Sequence, residues 1–453
     1  MSLPLDDQLL IDKRTGIING LQKVDIEPVL PKKAVSWRAQ VTNGRILANI
    51  PSDRIAGGTH FSNDHARNAA IGEAIERYSG NYKGGPFIRG SYQELKRKGY
   101  KLLDPDRIPL YSTRQYAEKG FPFIPFTKDL KVNWVQGFSL TCKEEVLLPA
   151  SLVYINYYEG IFANEPPVHF VNYAGIASGP TLEFALKSGL LELIERDATA
   201  IWWGCRGQVD AIDIKDHPDL LNSLEAKEKS DIRYTFLPLT TDINIPVIGA
   251  MLYDPVRQIA CMGFSSRPDP KEALLKAAAE TVQSYHLSLD LLDPDSPLWD
   301  AVHTGILHQA ALHSYRKDRK YVQSFKSDYH DMIDLLHNSQ YFLDPDSHQD
   351  IRHILDAEEK EMLPEKQSLT SSDIAEALAK HQIECFYADV TTEDVRTAGF
   401  TVTRVIAPGL VPNAPAAFPY LAPKRLYEVP HRIGWSEHVL DEHHINLKPI
   451  PHS

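Results

Sequence analysis

Two distant stretches of this chain spell nearly the same helix, and a third echoes them. Residues 70–77 read Ala-Ile-Gly-Glu-Ala-Ile-Glu-Arg and residues 189–196 read Gly-Leu-Leu-Glu-Leu-Ile-Glu-Arg. The weaker copy is Ala278-Ala279-Glu280-Thr281-Val282-Gln283. Each places Glu and then Glu or Gln at i and i+3, on one helical face and one turn apart. Each also follows a loop with Gly, Ser or Pro, at 56–59, 174–180 and 265–270. One such helix is most simply a solvated face with its Glu before its Arg, which suits the helix dipole. Three are harder to read that way, because small and apolar residues surround the acids, as in Leu190-Leu191-Glu192-Leu193-Ile194-Glu195.

Glutamates in apolar helices are partly desolvated, and two carboxylates at ~4 Å repel by roughly 4 kcal/mol at an effective dielectric near 20. If the helices converge, the acids need cations, either arginine or a divalent metal. A donor set of oxygens alone suits Mg2+ rather than zinc. Carboxylate-held Mg2+ beside Arg77, Arg196 and Arg267 is chemistry for a polyphosphate, with a nucleotide as the natural ligand. The sequence has no GxxxxGK[ST], GxGxxG or kinase motif set, so an ATP site here must be of a non-P-loop kind.

Composition narrows the class. The 453 residues carry 48 Lys+Arg against 60 Asp+Glu, a net charge of −12, with 43% hydrophobic and 24% charged residues. That is ordinary globular composition with about three domains' worth of length, and it excludes disordered, collagen-like and coiled-coil chains. An acidic balance without a basic tract argues against bulk binding to nucleic acid or anionic lipid. Cys142, Cys205, Cys261 and Cys385 form no CxxC pair, which fits reduced, buried thiols in a cytoplasmic protein. The N-terminus lacks a signal-peptide pattern, and no apolar run approaches a membrane span.

Strand patterns fall at 35–50, 134–157, 233–239, 245–264, 383–390 and 400–407, and helical patterns at 63–80, 92–98, 180–204, 270–291, 298–338 and 371–381. Interspersed sheets and long helices predict an α+β fold. The stretch 303–367 reads as a solvated helical excursion, and frequent proline over 408–430 predicts an irregular segment.

The residues 68–78 and 190–198, with Glu280-Thr281-Val282-Gln283 and the late segments 389–394 and 403–410, together resemble the YcaO family. Asp12-Lys13-Arg14-Thr15-Gly16-Ile17 is similar to the opening of the stand-alone D proteins of thiazole/oxazole-modified microcin clusters. The resemblance implies a YcaO fold, with mixed sheets and long helices around the ATP site, and an enzyme that uses ATP and Mg2+ to activate a peptide-bond oxygen. A Cys, Ser or Thr side chain of a ribosomal precursor peptide then closes to an azoline. Carried over by position, Glu73, Glu76, Arg77, Glu192, Glu195, Glu280 and Gln283 bind nucleotide, and Glu73, Glu76, Glu192, Glu195 and Glu280 hold metal. Ser188, one turn before Glu192, is a weaker nucleotide-contact candidate. The implied layout is an N-terminal docking arm over 1–55, a catalytic ATP-binding domain over 56–412 and a proline-rich segment over 413–453 that reaches the active site.

Two departures from the family pattern stand out. Ala69 occupies a position where the family often has Ser, so a hydroxyl contact is lost or supplied elsewhere. The family's azoline-forming members commonly end in PxPxP, whereas this sequence reads Pro449-Ile450-Pro451-His452-Ser453. Pro449, Pro451 and Ser453 are the residues expected at the reactive end of that segment. His431, His438, His443, His444 and His452 match no metal spacing and read as solvated. Trp202-Trp203 read as packing residues.

Implied partners are the precursor peptide, a leader-binding E1-like or C-type protein and a flavin dehydrogenase, with a homodimer expected. Backbone thioamidation, amidine formation and a non-catalytic partner-binding role are the competing functions.

Overall fold

A computed structural model of the chain describes residues 6–44 and 54–452. Ser453 and residues 45–50 of the strand expected over 35–50 lie outside the described residues. The first third of the chain runs β1 (Ile18–Val24), β2 (Val35–Val41), β3 (Ile55–His60), helix α1 (Asn63–Asn81), β4 (Ile88–Gly90), β5 (Val132–Ser139) and β6 (Glu144–Pro149). The middle runs β7 (Ile176–Gly179), α2 (Leu182–Cys205), β8 (Ala211–Ile212), β9 (Arg233–Pro238), β10 (Val247–Asp254), β11 (Ile259–Ser266) and α3 (Pro270–Leu292). The last third holds β12 (Glu359–Glu361), β13 (Phe386–Asp389), β14 (Thr401–Ile406) and α4 (Arg425–Arg432), with short helical turns between.

These strands build an antiparallel sheet β1-β2-β3, a second sheet β11-β10-β9, a sheet ordered β4-β5-β13-β14-β7 with β6 on β5, and a short parallel pair β12-β8. The α+β expectation holds. Where a single strand was expected over 245–264, the chain folds as the hairpin β10–β11, reversing through Gln258 at φ +52°. Both strands are buried along almost their whole length because they are covered on two faces. Val247, Met251, Met262 and Phe264 face the largest core, while Ile248, Ala250, Leu252 and Cys261 face the α3 side. Double coverage produces the near-continuous apolar run that blurs the turn in the sequence. The 134–157 pattern likewise resolves into β5, a turn, β6 and a short helix over Ala150–Val153.

The three echoed segments become α1, α2 and α3, each entered directly from the strand before it. Thr181 caps α2 by accepting from the Phe184 N–H, and Asp269 caps α3 ahead of Pro270 at the first turn. Helix α1 packs on β3, α2 on β7 and α3 on β11. Each helix also touches the strand of the next unit: α1 on β7, α2 on β11 and α3 on β3. The three strand–helix units therefore close into a ring with the acid-bearing faces turned inward. Glycine permits the close approach. A Cβ on Gly58 would stand 2.3 Å from the Ala66 carbonyl oxygen, and one on Gly263 would stand 2.3 Å from that of Ala277. Ala69 is part of the same contact, since a Cβ on Gly58 would also stand 2.8 Å from the Ala69 Cβ, so Ala69 packs against β3.

The long helix expected over 298–338 does not form, and the segment is not a solvated excursion. It breaks into Pro297–His303, two 3-10 turns and a helix over Leu336–Phe342, with positive φ at Gly305, Arg319 and Tyr329. Trp299, Tyr321, Phe325, Met332 and Phe342 are buried in the largest core. Many of its charged residues stay outside a packed cap while His337, Asn338, Gln340 and Asp344 are buried in it, and a composition average cannot separate the two sets. The proline-rich stretch is irregular as expected, except for α4. All four cysteines are free; Cys261 and Cys385 are buried, but Cys142 is exposed. Among the described residues no helix is long and apolar enough to cross a membrane.

Candidate functional site

The ring places the glutamates by a repeated hydrogen-bond rule. The first acid of each echoed pair accepts from a backbone N–H on or beside its own strand: Glu73 from Gly57 at 2.7 Å, Glu192 from Gly175 at 2.9 Å and Glu280 from Phe264 at 3.2 Å. The second reaches the strand of the next unit: Glu76 accepts from the Ser178 N–H at 2.7 Å and Glu195 from Ser266 at 3.2 Å. Gln283, in the third such position, lies against Gly57, which closes the ring, although its side chain is solvent-exposed. Strand amides thus aim each carboxylate, a fixed orientation that side-chain packing alone does not supply.

Four of the five carboxylates turn their other oxygen toward a cation of the same helix. Glu73 pairs with Arg77 at 3.0 Å and Glu280 with Lys276 at 3.2 Å. Glu192 and Glu195 flank Arg196 at 3.7 and 3.5 Å. Glu76 forms no ion pair among the described residues. Burial pushes its carboxyl up to about 8, with Glu192 and Glu73 adding to the effect against the Ser178 hydrogen bonds. Burial likewise pushes Glu195 up to about 8 despite Arg196. Glu280 is partly buried, but Lys276 and Arg196, with the Phe264 N–H, hold it below the usual carboxylate range. Carboxyls raised in this way among other acids suit a site that binds a cation.

Further basic groups edge this centre. Burial, followed by His65, Lys276 and Arg267, pushes His60 down to about 4. Arg404, buried on β14, donates to the carbonyls of Leu152, Asn172 and Tyr173 and faces Glu192. Arg77 stacks over the Tyr173 ring at 4.3 Å.

The chain from Asn446 to His452 enters the same centre. Asn446 bonds the carbonyls of Gly204 and Trp203, and the Trp203 indole donates to the Lys448 carbonyl at 2.7 Å. Lys448 pairs with Asp350, Met262 N–H donates to the Pro451 carbonyl at 2.7 Å, and Asn338 donates to the His452 carbonyl at 3.0 Å. Pro449 and Pro451 are buried in this run. His452, expected to be solvated, instead lies 2.9 Å from the Arg196 guanidinium. Metal-ligand spacing rules do not register a contact made across the fold.

Of the residues singled out in the sequence, Glu73, Glu76, Glu192, Glu195 and Glu280 are brought together. Arg77 sits beside Glu73 on the Tyr173 side. Ser188 lies half-buried a turn before Glu192, and no hydrogen bond of its hydroxyl is formed among the described residues. Lys276, Ser178, His60, Arg404 and His452 were missed. Only Lys276 had a local signal, four residues before Glu280. Among the described residues no three acidic, histidine or cysteine groups stand as a ready-made metal cluster. The oxygen donors and the two raised carboxyls nevertheless suit Mg2+, and the unpartnered, buried Nε of Arg196 suits a phosphate oxygen.

A family model described as YcaO cyclodehydratase, ATP- and Mg2+-binding, matches residues 57–411. An uncharacterized protein of Methanothermobacter thermautotrophicus is 26% identical over 367 residues, covering 79% of this chain and 81% of that one. A heterocyclase solved in complex with substrate and cofactor shares the fold at TM-score 0.67 and 22% identity, covering 98% of this chain. This chain spans 56%, little more than half, of that heterocyclase. The YcaO structure from Methanopyrus kandleri, bound with AMPPCP and Mg2+, superposes at TM-score 0.55 with 20% identity, over 86% of each chain.

Proposed function

The chain belongs to the YcaO family, an ATP- and Mg2+-binding enzyme family, and on that premise we propose that it is a cyclodehydratase. Its reaction would convert Cys, Ser or Thr of a ribosomal precursor peptide into azolines by phosphorylating the backbone amide oxygen. The observation that carries the reading is the ring of five inward glutamates, aimed by strand amides and edged by Arg77, Arg196 and Lys276.

In this reading Glu73, Glu76, Glu192, Glu195 and Glu280 hold Mg2+, and Arg77, Ser188 and Gln283 contact the nucleotide with them. When bound, ATP supplies the phosphoryl group that makes an amide oxygen able to leave, and Mg2+ neutralises the charge that develops. The arginines would orient the phosphates. In this reading the reacting amide would lie beside the buried run over Pro449–Pro451.

A leader-binding partner protein and the precursor peptide complete the system, and a flavin dehydrogenase would oxidise azolines to azoles. The test is to combine protein, partner, precursor and ATP and weigh the peptide. Loss of one water per modified residue is the expected result. A mass gain matching exchange of oxygen for sulfur, in the presence of a sulfur donor, assigns thioamidation instead. ATP consumption with an unchanged peptide mass overturns the cyclodehydratase reading.

A further inference from the structure

Arg196 is placed unusually for a guanidinium among acids. Its N–H groups approach Glu195 at 3.5 Å and Glu192 at 3.7 Å, both beyond hydrogen-bond length, and its buried Nε has no partner. A guanidinium with five donors ordinarily forks onto a nearby carboxylate. Here its short contact is to the neutral imidazole of His452, at 2.9 Å.

The imidazole is held in one state by its surroundings. Nδ1 stands 3.1 Å from the Met262 carbonyl oxygen, which can only accept, so Nδ1 carries the hydrogen and Nε2 presents a lone pair to Arg196. The Phe264 ring meets the imidazole edge-on at 5.2 Å. The backbone on either side is pinned by Met262 N–H to the Pro451 carbonyl and by Asn338 to the His452 carbonyl. Asn338 lies in the 303–367 stretch and is itself 1% exposed.

We propose that His452 is a positioning residue that holds the Arg196 guanidinium off Glu192 and Glu195 and keeps it available for a phosphate oxygen of the bound nucleotide. Without that acceptor, Arg196 turns onto its glutamates. The ring then loses a phosphate donor and two carboxylates in one movement. The 303–367 stretch acquires a role through Asn338, which fixes the height at which the imidazole meets Arg196. This inference rests on the nucleotide-site reading above.

The experiment is calorimetric titration of the full chain with Mg2+ and a non-hydrolysable ATP analogue, run beside thermal unfolding. His452→Leu keeps the bulk and removes the acceptor, whereas His452→Gln keeps an acceptor oxygen. Because a hydrogen bond to a charged group is worth roughly 1.5–3 kcal/mol, His452→Leu is expected to weaken nucleotide binding at least about tenfold. His452→Gln should recover most of that, with both variants melting near wild type. In an Arg196→Ala background, His452→Leu should add nothing. Equal affinities for wild type and His452→Leu, equal losses in Leu and Gln, or additive losses with Arg196→Ala overturn the proposal. Wild-type protein that binds no nucleotide would instead overturn the site reading itself.

Discussion

The most informative residues are the two glutamates that burial has pushed to about 8, Glu76 and Glu195. Each accepts a strand N–H that an amide oxygen can equally accept. Glu76→Gln and Glu195→Gln should therefore leave the fold intact, and melting temperatures should stay level or rise as a desolvated carboxyl disappears. Each should nevertheless reduce ATP-dependent peptide modification by about a hundredfold or more, the usual scale for removing a transition-state charge partner. Turnover assays beside thermal unfolding separate the two effects, and wild-type turnover in both variants would sink the enzyme reading. The glutamates were legible because a repeated pattern carries information that one helix lacks. His452 was not legible, since its partner Arg196 is distant in sequence and nothing local marks a histidine that meets an arginine.

At the scale of elements, a buried charge network locks α4 onto α2. Arg425 donates to both oxygens of Asp197 and also to Asp242, which Arg432 and His381 approach from the far side. Asp197 is fully buried and follows Glu195 and Arg196 directly, so the clamp sets the end of the acid-bearing stretch. Asp197→Ala removes one partner of a buried pair and is expected to cost about 3 kcal/mol, read as a lower denaturation midpoint. Asp197→Leu with Arg425→Met should recover part of that loss. Equal midpoints for wild type and Asp197→Ala would show that Asp242 alone satisfies Arg425. Helix positions and the strand over 400–407 could be read from periodicity. The 298–338 segment could not, because its turns are held by distant core contacts rather than by its own pattern.

Across the whole molecule, folding keeps several imidazoles neutral. Burial pushes His169, His337 and His452 down to about 4, with His313 lowering His337 further and Arg196 lowering His452. Unfolded, each takes up a proton near 6.5, so between the two values the unfolded state binds more protons and stability rises with pH. Their contribution is complete above about 6.5 and falls as the pH drops toward 4, each group adding up to ~1.4 kcal/mol per pH unit. Glu76 and Glu195, raised to about 8, act in the opposite sense over the same range. The check therefore compares denaturant unfolding of wild type and His169→Gln from pH 7.5 to 4.5, and an unchanged slope in the variant would contradict it. The sequence by itself determined the three acid-bearing helices, the need for a cation among them and the mixed architecture, because helical periodicity and charge desolvation are local properties. Only the tertiary structure decided the ring that joins each helix to the next strand, the packed cap over 303–367 and the entry of His452 beside Arg196. Those rest on contacts between residues far apart in the chain, whose geometry exists only once the cores have closed around them.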